Sequence, residues 1–179
     1  MAVLTRIETP LGTVIASSDG QSLTGLWFAG QKYECAFVED PIWDDSLPLW
    51  KTVKQALEDY FQGVDDVASA VPIAFVGGTA FQKAVWDVLT EIPHQTVWTY
   101  KDVAERVGEK LGRKTSSRAV GTAIGRNPVS LFVPCHRVVA TTGALTGYAG
   151  GVVRKRALLT FEGHNIVKDR VMKGERHEA

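Results

Sequence analysis

Pro134-Cys135-His136-Arg137-Val138 is the stretch from which this chain is read. The chain holds two cysteines, and one of them sits here beside a histidine, bracketed by apolar residues. A thiol becomes a strong nucleophile when a nearby base or positive charge favours its thiolate. His136 can be that base, and Arg137 adds local positive charge. Downstream, Thr146-Gly147-Tyr148-Ala149-Gly150-Gly151 precedes Phe161-Glu162-Gly163, whose carboxylate can orient an imidazole. Together these residues point to attack by sulfur on an electrophile, which requires a sulfur that is ionised and accessible. A lone cysteine is more often a small buried apolar residue without chemistry, and Cys35 is read that way. For Cys135 both readings stand open on its neighbours alone, because adjacent Cys and His is not the spacing of cysteine proteases.

Length and composition set bounds on the rest. A chain of 179 residues suits one or two small domains. A hydrophobic share of 45% and a charged share of 22% are those of a globular protein. No apolar run approaches the roughly 20 residues that cross a bilayer, and the N-terminus lacks a signal-peptide pattern. With two cysteines there is no disulfide scaffold, so a reducing, cytoplasmic setting is expected. His94, His136, His164 and His177 are scattered without zinc spacing, so no metal is expected.

Net charge is zero, yet the charge is unevenly placed. The first 91 residues hold 5 Lys/Arg against 13 Asp/Glu, and the remainder holds 15 against 7. Such asymmetry suggests an acidic accessory part and a basic part that meets a polyanion. Two solvated surfaces that happen to differ are the plainer reading.

Along the chain, residues 3–8, 13–18 and 22–28 read as strands rich in Val, Ile, Leu and Thr, separated by Pro10-Leu11-Gly12 and Asp19-Gly20. Residues 47–61 carry apolar side chains at helical spacing, and residues 71–76 read as one more strand. Gly77-Gly78 is the expected boundary. Thr79-Ala80-Phe81-Gln82 is a capping box opening a helix whose buried stripe is Phe81, Val85, Val88, Leu89 and Ile92. Thr99 caps a second helix over 100–107, with Gly108 past its end. A Lys/Gly/Arg-rich loop leads to a third helix over 118–126, stopped by Asn127-Pro128. A last helix covers 152–161, with Arg154-Lys155-Arg156 on an exposed flank. The small side chains of the third helix, Gly121 and Gly125 among them, fit either close helix packing or close approach to nucleic acid, with Arg118 at an N-terminus that favours phosphate.

These blocks resemble the O6-alkylguanine-DNA alkyltransferases, the methylated-DNA–protein-cysteine methyltransferases. The matching residues are Pro134-Cys135-His136-Arg137-Val138, Arg118-Ala119-Val120-Gly121, Asn127-Pro128, Gly147-Tyr148-Ala149-Gly150-Gly151, and Leu158-Leu159 with Glu162-Gly163. The resemblance implies an α/β N-terminal domain over 1–78 and a mostly α-helical C-terminal domain over 79–163 with a helix-turn-helix-like DNA-binding element. A flexible tail is expected over 164–179. It implies DNA repair: the protein flips O6-alkylguanine out of duplex DNA and moves the alkyl group irreversibly to Cys135, one event per molecule, without a cofactor. The partner is double-stranded DNA met from the minor groove, with no membrane, by a protein acting as a monomer.

The resemblance also implies roles. His136 works through a bound water and Glu162 orients it. Asn127 ties the active-site turn to the recognition helix, and Tyr100 helps the leaving guanine. The Val138 carbonyl, Tyr148 and Ala149 contact the base. Arg118 fills the vacated stack, and Gly121, Lys101, Arg126 and Thr141 lie near the DNA. Ala149 stands where some members have Ser, the 107–117 connection is longer than usual, and the zinc ligands of some members have no counterpart. Cys135 separates this chain from alkyltransferase-like lesion sensors, which lack that cysteine. A thiol hydrolase or redox protein would instead turn over many times.

Overall fold

The structure, a computed structural model, describes residues 1–172. The chain forms two compact units: Met1–Gly78 with Pro128–Phe132, and Thr79–Asn127 with the chain from Val133 onward. In the first unit, β1 (Ala2–Thr9), β2 (Gly12–Ser18) and β3 (Leu23–Phe28) form an antiparallel meander. β4 (Pro41–Trp43), not expected from the sequence, adds in parallel to β1, giving the order β3-β2-β1-β4. Three residues with exposed side chains carry no alternating pattern, so only pairing reveals such a strand. Leu4, Ile15 and Trp27 form a buried cluster against which Val38 and Cys35 pack, Cys35 being half-buried rather than fully buried as expected. Helix α1 (Leu49–Phe61) buries Trp50, Val53, Ala56, Leu57 and Tyr60.

The expected strand over 71–76 reduces to one bridge, with Leu23 N–H donating to the Pro72 carbonyl at 2.8 Å and Ala74 N–H to the Leu23 carbonyl at 3.0 Å. Proline has no N–H to extend a ladder. The free edge of β3 also takes a segment from far along the chain. Leu26 donates to the Pro128 carbonyl at 2.8 Å and accepts from Ser130 N–H at 2.9 Å.

The second unit is mostly helical. α2 (Ala80–Leu89) opens with the expected Thr79/Gln82 capping box. α3 (Tyr100–Leu111) opens with a second box, Thr99 with Asp102, and closes at Gly112 in the left-handed region. It runs past Gly108, the expected stop. One glycine inside a helix costs about 1 kcal/mol, and the added turn offsets this with ion pairs from Glu109 to Arg106 and from Lys110 to Asp87. α4 (Ser117–Gly125) is capped by Ser116. Trp86 of α2 donates its indole N–H to the Ala123 carbonyl of α4 at 2.9 Å.

β5 (Trp98–Thr99) pairs in parallel with β6 (Val138–Val139), and α5 (Val152–Phe161) follows. The tail expected from residue 164 is a hairpin over its described part, β7 (Ile166–Val167) against β8 (Arg170–Val171). Val171 anchors it in a core of Val97, Val139, Leu145 and Leu159. Residues 173–179 lie outside the described residues. Among the described residues, no helix is long and apolar enough to cross a membrane, and no group of His, Cys, Asp and Glu is arranged to hold a metal ion.

Candidate active site

Cys135, His136 and Arg137 form a single 3-10 turn directly after Pro134. Cys135 N–H donates to the Val133 carbonyl at 2.8 Å, and the Asn127 amide donates to that same carbonyl at 2.8 Å. Asn127 follows α4, so its buried side chain ties the turn to that helix. The two-residue ladder Trp98↔Val138 and Thr99↔Val139 sets the start of α3, and so Tyr100, beside the same turn. The Tyr100 hydroxyl donates to the Thr146 carbonyl at 3.2 Å. A Cβ on Gly121 would lie 3.6 Å from the Tyr100 ring, so this small residue faces the tyrosine.

Glu162, at the end of α5, collects two of the three residues of the turn. His136 Nε2 lies 2.6 Å from one of its oxygens and Arg137 Nε donates to the other at 2.7 Å. Arg137 also donates to the Ile92 carbonyl at 2.7 Å. Burial by itself would raise the Glu162 carboxyl, but its charge and hydrogen-bond contacts with His136 and Arg137 outweigh this and hold it well below the carboxylate range. An ionised carboxylate only accepts hydrogen bonds, so Nε2 carries the hydrogen. Burial holds the imidazole below its usual value, against the pull of Glu162. The resting ring is therefore neutral, with its lone pair on Nδ1. That atom is buried and has no hydrogen-bond partner among the described residues. Its lone pair can accept a proton.

The sulfur differs from the expected exposed thiolate. Cys135 keeps 6% of its surface, and burial pushes its thiol above the ordinary 9.0. A hydrogen bond from Asn127, the charge of Lys155 and the N–H groups of Cys135 and His136 each act in the opposite direction. These neighbours oppose burial without cancelling it.

Lys155 is the residue that sequence reading missed. It sits between Arg154 and Arg156 in a run that looks exposed, yet it is only 1% exposed. Its ammonium donates to the Val138 carbonyl at 2.6 Å and the Thr146 carbonyl at 2.9 Å. Burial lowers its pKa from 10.5 to about 8, with the Cys135 charge pulling the other way. The available signal was spacing: Leu158 and Leu159, three and four residues on, share its buried face.

Residues 80–164 match the family described as "6-O-methylguanine DNA methyltransferase, DNA binding domain", and residues 3–75 match its "ribonuclease-like domain". The chain belongs to the 6-O-methylguanine DNA methyltransferase family. It is 38% identical over 160 residues to the methylated-DNA–protein-cysteine methyltransferase of Haemophilus influenzae, covering 88% of this chain and 84% of that protein. The crystal structure of Mycobacterium tuberculosis OGT in complex with DNA superposes with a TM-score of 0.75 at 34% identity, covering 89% of this chain and 92% of that one. The O6-methylguanine-DNA methyltransferase of the archaeon Pyrococcus kodakaraensis superposes with a TM-score of 0.61 at 27% identity, over 91% and 99% of the two chains. Sheet-rich first and helical second parts are the architecture of this family, as expected.

In this family member, Cys135, His136, Glu162, Asn127 and Tyr100 gather around the one turn. Val138 and Tyr148 are buried nearby in sequence, and Ala149 is half-buried. The Val138 carbonyl already accepts from Lys155, leaving one lone pair. Arg118, Lys101, Arg126 and Thr141 are exposed, the first three on or at the ends of α3 and α4 and Thr141 in the turn after β6.

Proposed function

We propose that Cys135 Sγ is the acceptor through which this methyltransferase repairs alkylated DNA. The observation that carries the reading is the neutral His136, held by Glu162 through Nε2 with Nδ1 unpartnered, next in the chain to the buried thiol. The sulfur attacks the alkyl carbon, a new S–C bond forms, and the bond from that carbon to guanine O6 breaks. The electron pair leaves on O6, which needs a proton or hydrogen bond, and Tyr100 is placed to help. The thiol proton passes to His136 Nδ1 through a bound water. The thioether product has no leaving group that water displaces readily, so each molecule acts once.

A guanine inside duplex DNA is out of reach of a buried sulfur, so the base leaves the stack. Unstacking costs a few kcal/mol, and Arg118, exposed in the first turn of α4, is suited to fill the gap. The chain acts as a monomer on the minor groove, reading little sequence there. A thiol consumed once needs a reducing compartment, which supports a cytoplasmic setting.

Intact-mass measurement after incubation with O6-methylguanine duplex tests the reading. The expected result is one methyl per chain, located on Cys135. An unchanged mass with retained binding would mean lesion sensing, and many product molecules per chain would mean a turnover enzyme.

A further inference from the structure

The connection between α3 and α4 is a built loop. Gly112 adopts φ 69°, which ends α3 and turns the chain back along it. Arg113 N–H then donates to the Gly108 carbonyl at 3.1 Å, and the Thr115 hydroxyl donates to the Ala104 carbonyl at 2.7 Å. Gly108 permits this close return, because a Cβ there would meet the Arg113 carbonyl oxygen at 2.8 Å. Ser116 closes the loop by accepting from Ala119 N–H at 3.0 Å. The backbone is tied at three points, and it presents Arg113 and Lys114 exposed between them.

Ion pairing sorts the cations of this region into two groups. Arg106 is balanced by Glu91 and Glu109, and Lys110 by Asp87. Lys101, Arg113, Lys114 and Arg118 form no ion pair among the described residues. Three of them, Lys101, Arg113 and Lys114, line a groove of about 580 Å³ together with the polar Thr115 and Ser117. Arg113 also lies over the Phe81 ring, 5.7 Å from its centre, which steadies the guanidinium. Glu105 and Glu109 line the same groove, Glu109 paired with Arg106, so an anion is drawn to the Arg113–Lys114 lip and to Lys101 at the start of α3.

We propose that this loop is a phosphate clamp: Arg113 and Lys114, with Lys101 across the groove, hold the backbone of double-stranded DNA beside the α4 contact. The proposal rests on the reading of DNA as the partner. Cations left unpaired on an ordered loop keep their full charge for a polyanion and lose little side-chain freedom in meeting it. The exposed Ser117 hydroxyl supplies a neutral donor to the same phosphates.

The test compares full-length wild type with R113Q/K114Q by anisotropy on an undamaged fluorescent duplex, in potassium chloride from 50 to 200 mM. Each phosphate contact contributes about 0.9 to the slope of log affinity against log salt. The double variant is expected to lose about 2 from that slope. E105Q is expected to bind more tightly, and K110Q, whose lysine is already paired, to keep the wild-type slope. Reaction with O6-methylguanine as the free base is expected to be unchanged in R113Q/K114Q, which shows an intact fold and site. A wild-type slope in the double variant, or an equal loss in K110Q, overturns the clamp. Because the slope reads binding, a wild type that binds duplex but gains no methyl overturns only the functional reading. A wild type that fails to bind duplex overturns both.

Discussion

The ammonium of Lys155 donates to the carbonyl oxygen of Val138 at 2.6 Å, joining α5 to the strand that follows the cysteine turn. A buried ammonium held by carbonyls is costly to fold, and the Cys135 charge acts on its titration in the favourable direction.

The cost is measurable. Folding lowers the Lys155 pKa from 10.5 to about 8, so between those values the unfolded chain binds the extra proton and stability rises with pH. The full span corresponds to about 3 kcal/mol. Urea unfolding of C135A, in which the thiol no longer titrates, should show this rise between pH 8 and 10.5. C135A/K155M should lack it, and parallel curves would refute the assignment.

Glu162 shifts in the same direction, downward, but here the charged form is the one the fold favours. Its folded pKa lies below the ordinary 4.5, so its contribution is complete above that value and is lost as pH falls beneath it. Glu162→Gln should flatten the acid limb of stability and cost about 3–5 kcal/mol at neutral pH, because Arg137 is left without its partner. It should also slow methyl transfer by roughly 100-fold or more, as loss of a positioned general base does. Unfolding midpoints from pH 3 to 7 and single-turnover rates check both.

Passing the thiol proton to His136 leaves the proton count of the pair unchanged. Single-turnover rates should therefore stay level from neutral pH down to 6.5, the usual histidine value, and fall only below it, because burial lowers the His136 pKa. His136→Gln keeps a donor toward Glu162 but has no base. Its rate should climb with pH toward the raised thiol pKa, by up to about tenfold per unit. A level profile in this variant would remove His136 from the proton path.

Arg118→Ala should slow repair of duplex by about tenfold or more, given the few kcal/mol of unstacking that a filled gap offsets. Reaction with the free alkylated base should be unaffected. Equal losses on the two substrates would count against a role in base extrusion.

Val171 is 1% exposed within the core around Val97, Val139, Leu145 and Leu159. Val171→Ala should destabilise the second unit by about 2 kcal/mol, measured as a lower urea midpoint. A loosely held tail would give no change.

Much was legible in the sequence because it depends on near neighbours. The capping box at Thr79 and the cap at Thr99 are set by residues three positions apart. The meander over the first 28 residues follows from runs rich in Val, Ile, Leu and Thr and from the turn residues between them, and the Cys-His-Arg run pointed to the chemistry. What lies across the chain was decided by tertiary structure. The thiol's burial and the neutral state of His136 arise from packing around the turn. Glu162 serves His136 and Arg137 from 26 and 25 residues away. Lys155 looks like a surface cation until carbonyls 17 and 9 residues distant receive its ammonium. Side-chain type and spacing dictate local hydrogen bonds, whereas burial, and with it every shifted pKa in this site, is a property of distant segments brought together.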